Sequence, residues 1–238
     1  MVRFRVLACD FDGTIATEGV VAPATLTALE RVRRSGRWLI LVTGRTGPQL
    51  EMVFDRWDVF DRVVLENGAI LVDPSAGTER LLCAPVSSRL EPELHRRGVE
   101  PLAVGRAVYA GSARHLEVIR EAIRDLGLSL DLVVNRGGVV ILPKGVSKVS
   151  GAAAALFDIG ETAGACVAVG DAENDLPMIA FAGCGVAVAN ALAEVKAAAD
   201  LVTRRPAGEG VAELAGSLVA DDLAAELAAA GGMGVARH

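Results

Sequence analysis

The chain has 238 residues, is 52% hydrophobic but only 4% aromatic, and carries a formal net charge of −6 at pH 7. That length accommodates one large domain, or a core carrying a smaller insertion, with an interior built from small aliphatic side chains. No apolar run reaches the ~18 residues of a bilayer span, no long basic block offers a nucleic-acid footprint, and "MVRFRVLACDFDG" meets acidic residues too early for a secretory leader, so a soluble cytoplasmic protein is expected.

In chain order, "FRVLACD" (4–10) reads as a buried strand that ends by delivering Asp10 and Asp12. "PATLTALERVRRSG" (23–36) has helical apolar spacing with Pro at its start and Gly at its end. Its basic cluster "ERVRRSGR" (30–37) reads as a solvated helix face. "RWLILVTG" (37–44) is the next apolar strand and completes a β-α-β unit, and "VVLENGAILVDP" (63–74) reads as a hairpin about its Asn-Gly pair. From about 79 to 146 the texture changes: strand-like "RAVYA" (106–110), "LSLDLVVN" (128–135) and "GGVVILP" (137–143) surround the amphipathic "SARHLEVIREAIRDLG" (112–127). This segment is expected to be a small α+β insertion.

The strand–helix alternation then returns. "ACVAVGD" (165–171), "CGVAVA" (184–189) and "DLVT" (200–203) read as strands, separated by the helical "AENDLPMIAFAG" (172–183) and "ALAEVKAAA" (191–199). Continuous apolar strands alternating with helices imply an α/β fold whose doubly wound parallel sheet is shared by the two ends of the chain. The expected organisation is core over 1–78, insertion over 79–146, core over 147–216, and an Ala-rich helix with a Gly-rich end over 217–238 that has no evident core to join. The four cysteines, Cys9, Cys83, Cys166 and Cys184, lie far apart among apolar neighbours and read as buried free thiols, without a zinc site or a disulfide.

Parallel sheets place ligands at the carboxyl ends of their strands. Three predicted strand ends carry Asp10 with Asp12, Thr43 with Gly44, and Asp171 with Asn174 and Asp175. Carboxylates gathered there repel unless something offsets the charge. His95, His115 and His238 lie outside these motifs, so the site is all-oxygen and suits Mg²⁺. Mg²⁺ held by few carboxylates keeps a substrate phosphate in its shell. Thr43, the amides around Gly13 and Gly44, and a lysine would bind that phosphate. Lys148 in "PKGVSKVSG" (143–151), at the start of a predicted helix, is the first choice and Lys144 the second. With one aspartate as nucleophile and another two residues on as proton donor, the set supports phosphoryl transfer through an aspartyl-phosphate. Arg45 either orients its loop, meets substrate or makes an exposed salt bridge. Arg114, His115, Asn135 and Arg136 read as surface residues on loops of the insertion.

"DFDGT" (10–14), "LVTGR" (41–45), "GVSK" (145–148) and "GDAENDLPM" (170–178) resemble the four ordered motifs of the haloacid dehalogenase superfamily, particularly its Cof-type phosphatases of subfamily IIB. "ENGA" (66–69) also resembles that subgroup, and the likeness spans about residues 4 to 215. It implies a Rossmann-like core with a C2-type cap inserted between the second and third motifs. It makes Asp10 the nucleophile and a metal ligand, and Asp12 the general acid and base, with a backbone carbonyl that also binds Mg²⁺. Thr43 would bind phosphate, Lys148 neutralise it and Asp171 complete the metal shell, with Asn174 and Asp175 in support. The expected function is a Mg²⁺-dependent phosphatase of a small phosphorylated metabolite, a sugar phosphate or a phosphoglycolate-like compound. A phosphomannomutase-like phosphomutase is the alternative within the superfamily, and the brief insertion favours hydrolysis over it. A catalytically silent binding or regulatory module is the alternative outside it, and the intact Asp10, Asp12, Lys148 and Asp171 set argues against that.

Overall fold

A computed structural model of the chain describes residues 2–135 and 137–231. Its first strand, β1 (Val6–Asp10), is buried at every position, as a central strand covered on both faces must be. Helix α1 (Pro23–Arg34) starts at a proline, buries Ala28, Leu29 and Val32, and places Arg31, Arg33 and Arg34 in its last turn, where they complement the helix dipole. Then come β2 (Trp38–Val42) and the short α2 (Gly47–Glu51), whose Thr46 and Gln49 form a capping box. β3 (Arg62–Leu65) and β4 (Ile70–Asp73) pair antiparallel around the Asn-Gly turn, and β5 (Thr78–Leu81) pairs antiparallel with β4.

A second, four-stranded antiparallel sheet follows. It is built from β6 (Leu102–Val104), β7 (Tyr109–Ser112), β8 (Leu130–Asn135) and β9 (Gly138–Pro143) in the order β6-β7-β9-β8. One face packs on α3 (Leu90–Arg96) and α4 (Leu116–Asp125) through Leu90, Leu94, Ile119, Ala122 and Ile123, a core separate from that of the main sheet. The chain returns through α5 (Lys148–Asp158), β10 (Cys166–Gly170), α6 (Leu176–Phe181), β11 (Cys184–Ala187), α7 (Ala193–Ala198) and β12 (Leu201–Val202). It ends in α8 (Ala207–Asp221) and α9 (Ala224–Gly231). The main sheet has eight strands in the order β12-β11-β10-β1-β2-β3-β4-β5, parallel from β12 to β3. The two ends of the chain thus share one sheet, as the alternation of strands and helices predicts.

Three features differ from the expectation. The boundary placed at 79 falls inside β5, which belongs to the main sheet; all four of its residues are exposed, so it carries no apolar pattern to read. "RAVYA" is strand only from Tyr109 on, because Arg106–Val108 form a turn. The segment from 217 does join a core. Helix α8 runs through that point, packs on α1 and buries Val211, Leu214, Ala215 and Leu218. Beyond it Leu223 is buried, and the Asp222 carboxylate accepts the amide N–H groups of Arg3 and Phe4 and the Arg37 guanidinium. An Ala- and Gly-rich helix packs closely by virtue of its small side chains, which makes its buried face weak in hydropathy. Cys9, Cys166 and Cys184 are buried and Cys83 half-buried, and none is in a disulfide; burial pushes the Cys166 thiol up to about 12 and holds it inert. Among the described residues no helix is long and apolar enough to cross a membrane.

The turn between β3 and β4 braces the second sheet. Glu66 is buried, and its carboxylate accepts the N–H groups of Arg106, Ala107 and Val108 at 2.8, 2.8 and 3.1 Å. Two residues on, Gly68 has φ +107°, and any Cβ there would overlap the Ser147 carbonyl at the head of α5. Glu66→Ala leaves three amides of the 106–108 turn without their acceptor, and a buried donor stripped of its partner costs about 1–3 kcal/mol. A fall in the urea midpoint equivalent to about 3 kcal/mol is expected. A variant as stable as the wild type would show that the brace carries no load.

Candidate active site

Strands β10, β1 and β2 are adjacent and parallel, so their carboxyl ends open on one edge. Asp10 is the last residue of β1, Thr43 directly follows β2, and Asp171 directly follows β10. Lys148 enters from the first turn of α5, behind the capping box of Ser147 and Ser150. All four side chains are buried.

Lys148 Nζ lies 2.6 Å from Asp10 Oδ1 and 2.6 Å from Asp175 Oδ1. The other Asp175 oxygen accepts the N–H groups of Asp171 and Ala172, each at 3.0 Å. Asp175 therefore anchors the lysine and the loop after β10 together. Lys144, the rival lysine, is exposed and pairs with Asp131 at 2.9 Å.

Carboxylate oxygens of Asp10, Asp171 and Asp175 come within 4.8 Å of one another. The Lys148 ammonium pairs with Asp10 and with Asp175, one cation beside three gathered carboxylates. The donor set is all oxygen, buried and anionic, so the residues present fit a hard divalent cation such as Mg²⁺. Thr14 Oγ1 approaches Asp171 Oδ1 at 3.5 Å. Burial pushes the Asp10 carboxyl up to about 7, aided by the Asp175 charge and opposed by Lys148. Burial alone would lower the Lys148 ammonium, but Asp10 and Asp175 outweigh it and hold the lysine above its ordinary value.

Asp12 stands apart from this cluster. Arg45 grips its carboxylate with two hydrogen bonds, Nε at 2.8 Å and Nη2 at 2.7 Å, while the guanidinium lies 5.4 Å from the centre of the Phe11 ring. Of the roles open to Arg45 in the sequence, the structure shows a salt bridge to a site residue, and the Arg45 backbone N–H also binds Thr43 Oγ1 at 3.1 Å.

These groups form the floor of a cavity of about 400 Å³ that also reaches Gly44, Asn67 and Asn174. Its roof is the second sheet, through Ala110, Gly111, Val133, Gly138, Val139 and Val140. A larger hollow of about 490 Å³ between β12, α8 and α9 is mostly apolar and is lined by none of the strand-end residues Asp10, Thr43 and Asp171. Arg114 and His115 are engaged with the Glu100 carbonyl and do not line the site. Arg136, the Asn135 side chain and His238 lie outside the described residues. Asn67, and the pairing of Arg45 with Asp12, are what sequence reasoning did not foresee at the site. The signal for Asn67, "ENGA", reads equally well as a plain hairpin turn.

A sequence profile of haloacid dehalogenase-like hydrolases matches residues 7–95 and 104–214. The chain is 31% identical over 221 residues to a phosphoglycolate phosphatase of Methanothermobacter thermautotrophicus, covering 88% of this chain and 96% of that protein. It is 28% identical over 240 residues to phosphoglycolate phosphatase 2 of Saccharolobus solfataricus, covering 93% and 95%. Among solved structures it is similar to a haloacid dehalogenase/Cof-like hydrolase from Plasmodium vivax, with a TM-score of 0.78, 18% identity, and 91% and 96% of the two chains covered.

The raised Asp10 carboxyl sets a pH dependence in cation-free buffer. Its ordinary value is 3.8 and its folded value about 7, so between these the folded chain holds a proton that the unfolded chain has released. The stability this contributes is present at low pH and is lost as pH rises through about 7. With EDTA present, the stability of the wild type relative to Asp10→Asn should fall as pH is raised from about 4 to about 7, measured by urea unfolding. A difference that stays flat across that window would refute burial and repulsion as the cause.

Proposed function

The chain belongs to the haloacid dehalogenase-like hydrolase family and is a phosphatase, and from that premise we propose that it hydrolyses a small organic phosphate through a phosphoaspartate at Asp10, with Mg²⁺ as cofactor. The observation that carries this reading is the buried Asp10–Lys148–Asp175 chain at the floor of a cavity of about 400 Å³. A phosphoglycolate-like compound or a sugar phosphate is the proposed substrate class. In support, the cavity is small and the matched relatives are named phosphoglycolate phosphatases over nearly their whole length.

In the proposed reaction an Asp10 oxygen attacks phosphorus while the bond from phosphorus to the leaving-group oxygen breaks. The departing oxygen takes a proton from Asp12, so one Asp12 oxygen must first leave the grip of Arg45. Asp12 then accepts a proton from water, whose oxygen attacks the phosphoaspartate and releases inorganic phosphate and free Asp10. Lys148 neutralises charge on the transferring group, and Asp175 keeps the lysine in place. Thr43 and the Gly44 amide bind phosphoryl oxygens. Asp10, Asp171 and the Asp12 backbone carbonyl would hold Mg²⁺, with Asn174 in support. The bound cation supplies the positive charge that lets the dianionic substrate approach the carboxylates. The inserted segment acts as a cap whose second sheet meets the leaving group and excludes water.

The test is phosphate release from phosphoglycolate, sugar phosphates and p-nitrophenyl phosphate, with Mg²⁺ and with EDTA. Release should require the cation and fall at least about a thousandfold in Asp10→Asn, as expected for loss of a nucleophile. Asp12→Asn should slow formation of the phosphoaspartate, read as leaving-group release in the first turnover, far more with phosphoglycolate than with p-nitrophenyl phosphate, whose leaving group needs no proton. Undiminished release by Asp10→Asn would sink the mechanism.

A further inference from the structure

The Glu66–Gly68 turn has three successive residues in the left-handed region, with φ of +51° at Glu66, +55° at Asn67 and +107° at Gly68. Such a conformation costs a non-glycine residue of order 1–3 kcal/mol and persists where the surroundings enforce it. The surroundings at Asn67 are explicit. Its backbone N–H donates to the Thr43 carbonyl at 3.0 Å, which ties the turn to the loop after β2. Its residue surface is only 4% exposed, and what remains open faces the cavity shared with Asp10, Arg45 and Lys148.

The Asn67 carboxamide makes no hydrogen bond to any other described residue, although it has two donor hydrogens and an acceptor oxygen. It stands against the backbone at Gly44: a Cβ added there would lie 3.1 Å from Asn67 Nδ2 and 3.2 Å from Oδ1. A carboxamide held in so enclosed a residue, open only toward the cavity, is placed to be completed by a bound ligand. The neighbours name the ligand group. Asn67 lies on the floor beside Thr43 and Gly44, whereas the leaving group would meet the roof of Ala110, Gly111 and Val139.

We propose that Asn67 is a phosphoryl-binding residue, its Nδ2 donating a hydrogen bond to a non-bridging oxygen of the substrate phosphate. The inference rests on the phosphatase reading and adds to it a neutral donor on the side of the phosphate next to Gly44. A donor without charge suits this wall, since it binds the anion without competing with Lys148 for Asp10.

Asn67→Gly separates this role from a purely structural one. Glycine adopts positive φ more readily than asparagine, so a residue needed only for the turn is replaced by it without loss. The probe is inorganic phosphate, titrated calorimetrically into the full chain with Mg²⁺ present. Asn67→Gly should melt at or above the wild-type temperature yet bind phosphate about tenfold more weakly, the value of one such hydrogen bond. Asn67→Asp, which keeps the shape and tolerates the turn, should weaken binding further because it sets a carboxylate against the anion. Wild-type phosphate affinity and turnover in Asn67→Gly would overturn the proposal. Unchanged phosphate affinity with a raised KM for the ester would also overturn it, since the amide would then be reading the leaving group. A wild type that neither binds nor releases phosphate would bring down the phosphatase reading and this one together, and the wild-type titration alone reveals that case.

Discussion

The site depends on one constraint, the burial of Asp10 beside other carboxylates at the edge of a parallel sheet. Removing a carboxylate from water costs several kcal/mol even after relaxation, and the Asp10 carboxyl answers by rising to about 7. Lys148 offsets part of the repulsion at 2.6 Å, but it can do so only if its own position is fixed. Asp175 fixes it, and spends its other oxygen on the amides of Asp171 and Ala172. One buried network therefore joins the end of β1, the loop after β10 and the head of α5. That gathering of carboxylates suits the hard cation, and the anionic substrate, proposed for the cavity.

Much of this was legible because the residues concerned stand at places that elementary pattern exposes. The strands are continuous apolar runs, so their ends are sharp, and Asp10, Thr43 and Asp171 stand at or just after them. Lys148 follows a capping serine at a recognisable helix start. The sequence already ranks Lys148 above Lys144, and the structure shows how they differ: Lys148 is buried against Asp10, whereas Lys144 is exposed and pairs with Asp131. The hold of Arg45 on Asp12 was illegible. It links two strand-end loops, and sequence shows only that each has a charged residue.

What stayed hidden lies where the physical pattern is faint. β5 is an exposed edge strand with no buried face to set a period of two. The buried face of α8 includes Gly208, Gly210 and Ala215, residues that let helices approach closely but contribute little hydrophobicity to a reading of the sequence. Glu66 was the deepest concealment. A glutamate in a turn ordinarily means solvent, yet this one is buried because three backbone amides, about forty residues further along the chain, satisfy its carboxylate.

The Glu66–Gly68 turn also explains how an inserted sheet serves a site built by the core. Glu66 holds the β6–β7 turn, and β7 supplies Ala110 and Gly111 to the roof. Gly68 is pressed against Ser147, the residue that caps α5 and precedes Lys148. β9, another strand of the roof, runs into that same cap through Lys144–Val146. β7 and β9 are thus referred to a short stretch of backbone around Ser147 and Glu66. Lys148, mounted next to that stretch, sits against Asp10. In the proposed reaction, selectivity at the roof and reactivity at the floor would be separate tasks that meet at one corner of the backbone.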